Sequence, residues 1–122
     1  MFFIKNKLEE KELIIYGDGT QTRDLLYVED CGRFVVEAGY SDKVNGHILN
    51  AGTGQDISIN QLAKLIIKDN SKIHHVAHIH PQSEIQKLLC NYNKAKKLLN
   101  WYPKVNLEEG IKRTEEWIRL QG

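Results

Sequence analysis

The sequence predicts a mixed α/β fold, and three observations carry that expectation. Short apolar runs with strand character, Leu13-Ile14-Ile15 and His47-Ile48-Leu49-Asn50-Ala51, adjoin glycine turns. Other stretches repeat apolar residues at helical spacing behind capping residues. No repeat, linker or low-complexity segment divides the 122 residues, which read as one unit.

Residues 2–8 read as a helix end and residues 13–16 as a strand. The sequence Tyr16-Gly17-Asp18-Gly19 is a turn, because both glycines accept positive φ and Asp-Gly is a strong turn dipeptide. Residues 24–28 read as a short extended segment. A helix is expected from Glu29 to Ala38, with Cys31, Phe34, Val35 and Ala38 on its apolar face, acidic residues in its first turn and Gly39 as its stop. The run 47–51 is expected to be a strand. Ser58 with Gln61 three residues on is a capping box, opening a helix to about Lys68 with Ile59, Leu62, Ala63 and Ile66 on one stripe. Residues 73–79 read as a strand. Asn93 caps a short helix to Leu99 that Pro103 cannot continue. Asn106 caps the last helix, whose core face is Leu107, Ile111, Thr114, Trp117 and Ile118. Its other face carries Glu108–Lys112, Glu109–Arg113 and Glu115–Arg119 at i,i+4. Trp101 and Trp117 read as packing residues.

Composition narrows the function. Apolar residues make 41% and charged residues 27%, the balance of a soluble globular chain. With 17 basic against 16 acidic residues the net charge is +1, which gives no support for a nucleic-acid surface. No apolar run reaches membrane-spanning length, and no signal peptide is visible. Cys31 and Cys90 fit no metal spacing and read as free thiols of a reducing, cytoplasmic compartment.

The chemistry-bearing feature is Arg23, shortly after the Gly17-Asp18-Gly19 turn. Its planar fork of donors suits a phosphate or a carboxylate. The alternative from the residues alone is a surface ion pair with Asp24 or Asp18. The turn is not a P-loop, since no Lys-Ser/Thr follows the glycines, nor a dinucleotide fingerprint, since a third glycine and a following helix are missing. His74, His75, His78 and His80 cluster; in a strand, His74, His78 and His80 share a face, yet no carboxylate or thiol joins them before Glu84, so no metal site is assigned. Tyr92-x-x-x-Lys96 has the spacing of a proton-transfer pair.

Three blocks, in order, resemble the extended short-chain dehydrogenase/reductase family, the NAD-dependent nucleotide-sugar epimerases and dehydratases. They are Ile15–Asp30, containing Tyr16-Gly17-Asp18-Gly19-Thr20-Gln21-Thr22-Arg23-Asp24; Ile48-Leu49-Asn50-Ala51-Gly52-Thr53-Gly54; and Asn93–Val105, continued by Leu107–Ile111 and Glu116-Trp117. The resemblance implies the C-terminal, substrate-binding part of a Rossmann-type enzyme. The N-terminal dinucleotide-binding half and the catalytic Tyr-x-x-x-Lys of that family are not among these residues, and Met1-Phe2-Phe3-Ile4 resembles the middle of a family helix. Tyr92 falls in the third block, downstream of the family's catalytic pair. No catalytic and no cofactor-binding residue is therefore assigned to this chain.

The resemblance implies NAD or NADP in a homodimeric parent enzyme, transient oxidation at sugar C4, and a nucleotide-sugar as ligand. It places Arg23 on the diphosphate, and Tyr16 and Asn50 at the nucleoside. His80 stands where relatives carry a second phosphate-binding arginine, a departure that leaves a single donor. From the residues alone Tyr16 is equally a sheet aromatic and Asn50 a strand-end turn residue. The rival reading is a truncated, non-catalytic module that binds a nucleotide-sugar or a partner supplying the Rossmann half.

Overall fold

A computed structural model describes residues 2–122. In chain order the regular elements are α1 (Phe2–Leu8), β1 (Leu13–Tyr16), β2 (Thr22–Arg23), α2 (Val28–Tyr40), β3 (Ile57–Ser58), α3 (Ile59–Ile66), β4 (Ile73–Val76), β5 (Lys87–Leu88), α4 (Asn93–Leu99) and α5 (Leu107–Gln121), with single 3₁₀ turns at 42–44, 70–72 and 81–83. Two small sheets result. β1 and β4 pair in parallel, Leu13 opposite Ile73 and Tyr16 opposite Val76. β2 lies between β3, antiparallel to it, and β5, parallel to it.

β1 has the period-two pattern of a half-covered strand: Leu13 and Ile15 are buried, Ile14 and Tyr16 exposed. The buried pair packs on Ala63 of α3, with Phe3, Ile59, Ile67 and Ile73 around it. α3 is held at its start by the reciprocal capping box of Ser58 and Gln61, each side chain bonding the other's backbone N–H at 3.1 Å.

A second packing centre forms around Trp101, which is fully buried. Phe34 and Tyr92 meet its ring edge-on at 5.3 and 5.9 Å, and the Arg33 guanidinium lies 5.6 Å from its centroid. Its indole N–H donates to the Asp30 carbonyl at 3.2 Å. The Asp30 carboxylate is itself buried and accepts from the backbone N–H groups of Lys104 (3.0 Å) and Val105 (2.9 Å) and from Arg33 (2.7 Å). One side chain thus ties α2 to the loop between α4 and α5. Burial, the largest single influence, opposes its ionisation. The Val105 N–H, the Arg33 guanidinium and the Lys104 N–H together outweigh burial and hold the Asp30 carboxyl below its ordinary range.

Several sequence expectations are corrected. Residues 47–51 form no strand, and Ile48 is 84% exposed. A strand needs a ladder partner, and among the described residues both sheets are completed without this segment. The strand expected over 73–79 ends at Val76, where its pairing with β1 ends. The extended stretch 24–28 is irregular after the Asp24 N–H, which donates to the Leu88 carbonyl at 2.9 Å. α2 begins at Val28 and continues through Gly39 to Tyr40, since one glycine costs a helix only about 1 kcal/mol. On its expected apolar face Phe34 and Ala38 are half-buried, but Cys31 and Val35 are exposed. α3 stops at Ile66, short of Lys68. Asn93 is the first residue of α4 rather than its cap; the Asn91 side chain accepts its N–H instead. Asn106 does cap α5, accepting from Glu109 N–H at 2.9 Å. Glu109–Arg113 and Glu115–Arg119 close as ion pairs on α5, whereas Glu108–Lys112 is not closed among the described residues. Trp117 is 56% exposed rather than packed.

Two predictions arise from this packing. Asp30→Ala should destabilise the chain by about 3 kcal/mol, since it strands two backbone donors and a partly buried guanidinium. Because the folded-state carboxyl is depressed, its stabilisation is present above the unfolded value near pH 4 and is lost as pH falls through the folded value. Acid titration of the melting temperature should therefore be flatter in the variant below pH 4; parallel curves would contradict the assignment. Val28, Val35, Val36, Tyr40 and Ile48 are exposed together with Trp117 and Leu120. The purified chain should bind an apolar dye and self-associate. A monodisperse monomer that leaves the dye dark would refute this.

Candidate functional site

The site is built on the Gly-Asp-Gly turn and on β2. Gly17 (φ +80°) and Gly19 (φ +73°) both take left-handed backbone. Asp18 closes the turn by accepting from Thr20 N–H and Oγ1–H at 2.9 and 2.7 Å. α3 buttresses it: the Asn60 amide donates to the Asp18 carbonyl at 2.8 Å and so fills the space beside Gly19 that a Cβ would need. Asn60 Oδ1 in turn lies 2.7 Å from His75 Nε2 of β4.

Arg23 sits on β2, between β3 and β5, with its side chain largely covered. Its Nη1 donates to the carbonyls of Thr22 (2.7 Å) and Ile85 (2.8 Å). Its Nη2 donates to Glu84 Oε1. The other Glu84 oxygen lies 2.7 Å from His78 Nε2, and His78 Nδ1 accepts the backbone N–H of His80 at 2.9 Å. An Nδ1 that accepts carries no proton, so this geometry puts the imidazole proton on Nε2, pointing at Glu84. The Arg23 hydrogen bond is the largest influence on the Glu84 carboxyl; with the smaller one from His78 it outweighs burial and holds the group below the usual glutamate range. The surface ion pair anticipated with Asp24 or Asp18 is thus replaced by one with Glu84.

Asp24 faces the other way and organises the loops behind β2. It accepts from Thr53 N–H (2.8 Å), Thr53 Oγ1–H (2.5 Å), Gly54 N–H (2.9 Å) and Cys90 N–H (3.2 Å). Gly52 is buried beneath this knot, where a Cβ would come within 2.2 Å of Cys90 Cβ. Burial, and then the Asp24 charge, push the Cys90 thiol up, so it stays protonated.

The sequence-derived candidates divide. Tyr16 stands at the end of β1, half-exposed, and the adjacent Gly17 packs toward His78. Arg23, Glu84 and His78 form one contiguous group. His80 is exposed at the head of the 81–83 turn, and its side chain forms no hydrogen bond among the described residues. Asn50 is exposed in the irregular run before Gly52 and is not among the hydrogen-bond partners of Arg23. His78 and His80 lie beyond β4, so the shared histidine face does not form. His74 instead faces Glu12 at 3.3 Å. Among the described residues no three metal-ligating side chains converge. Tyr92 packs edge-on to Trp101 and against Gly54. Glu84 and Asp24 were visible in the sequence only as acidic residues; nothing local distinguishes them. Surface cavities of about 460, 440 and 320 Å³ lie elsewhere, and none is lined by Tyr16, Arg23, Asn50 or His80. The site lies on the central strand of the small sheet, open to solvent rather than enclosed in a cavity.

Comparison with known proteins places this geometry. The structure superposes on 99% of the chain with Pal from Bacillus thuringiensis at a TM-score of 0.96 and 69% identity, covering 39% of that protein. With the UDP-glucuronic acid 4-epimerase of Bacillus cereus, solved with UDP-glucuronic acid and NAD, the TM-score is 0.88 at 32% identity, over all of this chain and 40% of that one. The UDP-glucuronate 4-epimerase of Thermodesulfobacterium geofontis is 38% identical over 96% of this chain and 36% of its own length. The fold is that of part of the NAD-dependent nucleotide-sugar epimerases and dehydratases, the extended short-chain dehydrogenases. Residues 1–114 match the family described as GDP-mannose 4,6 dehydratase, and the chain belongs to that family. It spans about two-fifths of the length of these relatives.

The Gly17-Asp18-Gly19 turn runs into β2 rather than a helix, and Asn60 occupies the space beside Gly19, so this turn lacks the strand-turn-helix geometry of a dinucleotide cradle. Among the described residues no helix is long and apolar enough to cross a membrane.

Gly52→Ala should cost at least 1–3 kcal/mol, the scale of overpacking, because the new methyl meets Cys90 Cβ. Adding Cys90→Gly should recover part of the loss in a thermal melt. A Gly52→Ala chain as stable as the parent would show that the loops need not meet.

Proposed function

We propose that these 122 residues act as one unit, the nucleotide-sugar-holding portion of an NAD(P)-dependent nucleotide-sugar epimerase or 4,6-dehydratase. Redox chemistry belongs to cofactor and residues outside this set. This chain's part is to bind and orient: Arg23 holds the diphosphate, Tyr16 and Asn50 flank the nucleoside, and His80 offers a second phosphate contact. Anchoring the nucleotide end fixes where the sugar reaches, which is how remote binding serves a distant reacting centre.

The observation that carries the reading is the state of Arg23. A strand with a neighbour on each side supports it, and both Nη1 hydrogens are satisfied by carbonyls. Of the five N–H donors of a guanidinium, the Nε–H and one Nη2–H remain for a ligand. That is a rigid, partly covered cation with a bidentate edge left over, the arrangement that suits a phosphate. Relatives solved with UDP-glucuronic acid and with UDP-glucose support a nucleoside diphosphate as the ligand class.

Arg23→Ala should weaken binding of uridine diphosphate by about 1.5–3 kcal/mol, the range for a charged hydrogen bond. Arg23→Lys should restore part of this, since an ammonium lacks the fork. His80→Gln should weaken binding by less, the loss of a single donor. Calorimetric titration measures all three. Unchanged affinity in Arg23→Ala, with a large fall in melting temperature, would make Arg23 a structural partner of Glu84 instead.

A further inference from the structure

The pairing that holds Arg23 also bears on how tightly the site can bind. A guanidinium has two edges on which a two-oxygen anion can sit, Nη1 with Nη2 and Nε with Nη2. The first edge is closed, since both Nη1 hydrogens go to the Thr22 and Ile85 carbonyls. An incoming phosphate must therefore use Nε and Nη2. Nη2 is the nitrogen that Glu84 Oε1 already holds. Ligand and carboxylate must share one nitrogen, side by side, with like charge.

Glu84 is not free to swing aside. Its far oxygen is held by His78 Nε2 at 2.7 Å, and His78 is held from behind by the His80 N–H at 2.9 Å. The bond from Arg23 Nη1 to the Ile85 carbonyl pins the residue next to Glu84 as well. With the imidazole proton on Nε2 alone, His78 is neutral and Arg23 with Glu84 sums to zero charge. The nearby Asp24 carboxylate bonds Thr53, Gly54 and Cys90 and is not a further partner of Arg23.

We propose that Glu84 is a restraining residue of the anion site, one that aligns the Arg23 guanidinium while its fixed negative charge lowers the affinity of Arg23 for phosphate. The inference rests on the reading of Arg23 as the diphosphate contact. Its consequence is a site that favours release: the ligand is oriented by Arg23, yet bound less tightly than an uncompensated arginine would bind it.

Glu84→Gln tests this in the full chain, because the amide keeps an oxygen for Nη2 and nearly the same shape while removing the charge. Calorimetric titration of wild type, Glu84→Gln and Arg23→Ala uses uridine diphosphate and, as the uncharged control, uridine. Glu84→Gln should tighten uridine diphosphate roughly fivefold to tenfold and leave uridine unchanged. Should Glu84→Gln melt below the assay temperature, the neutral Glu84→Ser carries the same expectation. Equal tightening of both ligands would overturn the proposal, because the effect would not be one of charge. Unchanged or weaker binding of uridine diphosphate in Glu84→Gln, with Arg23→Ala still weakened, would overturn the restraint alone. Full affinity in Arg23→Ala would remove the diphosphate reading and the restraint with it.

Discussion

The Asp24 carboxylate is the constraint on which the architecture around β2 depends. It gathers donors from Thr53, Gly54 and Cys90, residues far apart in the chain, and thereby brings the loop after residue 52 against the approach to α4. β2 itself is only two residues long and could not hold two neighbours by ladder bonds alone. Gly52 must be glycine for the loops to close over the carboxylate. Arg23, one residue earlier, points to the opposite side of the strand, as the pleat requires. The side chain that builds the support and the one that meets the ligand are thus neighbours in sequence and opposite in role.

Asp30 repeats the device at the other packing centre. Both carboxylates gather backbone N–H groups from irregular segments, where no helix or sheet ladder can satisfy them. The chain carries much irregular backbone, and two aspartates supply part of what regular elements would otherwise provide. Asp30 is the more buried of the two and sits against Trp101, so its loss exposes donors to an apolar surrounding.

The exposed apolar residues of α2, Ile48 and Trp117 belong to the same account. Val35 and Val36 lie within α2, Trp117 within α5 and Ile48 in irregular chain, each exposed among the described residues. Ile48 is the clearest case: an apolar, extended run with the composition of a buried strand and no strand to pair with.

Local physics was legible without coordinates. The glycine turn, the Ser58–Gln61 capping box, the Asn106 cap and the α3 stripe all follow from residues within a few positions of one another, and the structure agrees with each. The three motif blocks likewise pointed to the family to which the chain belongs. What the sequence could not decide were the choices between distant partners. Arg23 had two acidic neighbours within reach in sequence and instead took Glu84, sixty-one residues away. Cys31 and Val35 had helical spacing yet face outward, while Asp30 on the same helix is buried. Whether 47–51 became a strand depended on a partner, and whether the histidines shared a face depended on where β4 lost its pairing with β1. A cap or a turn is settled by bonds its own segment can make. An ion pair, a strand or a buried face is settled by what tertiary folding brings alongside, and that alone decided them here.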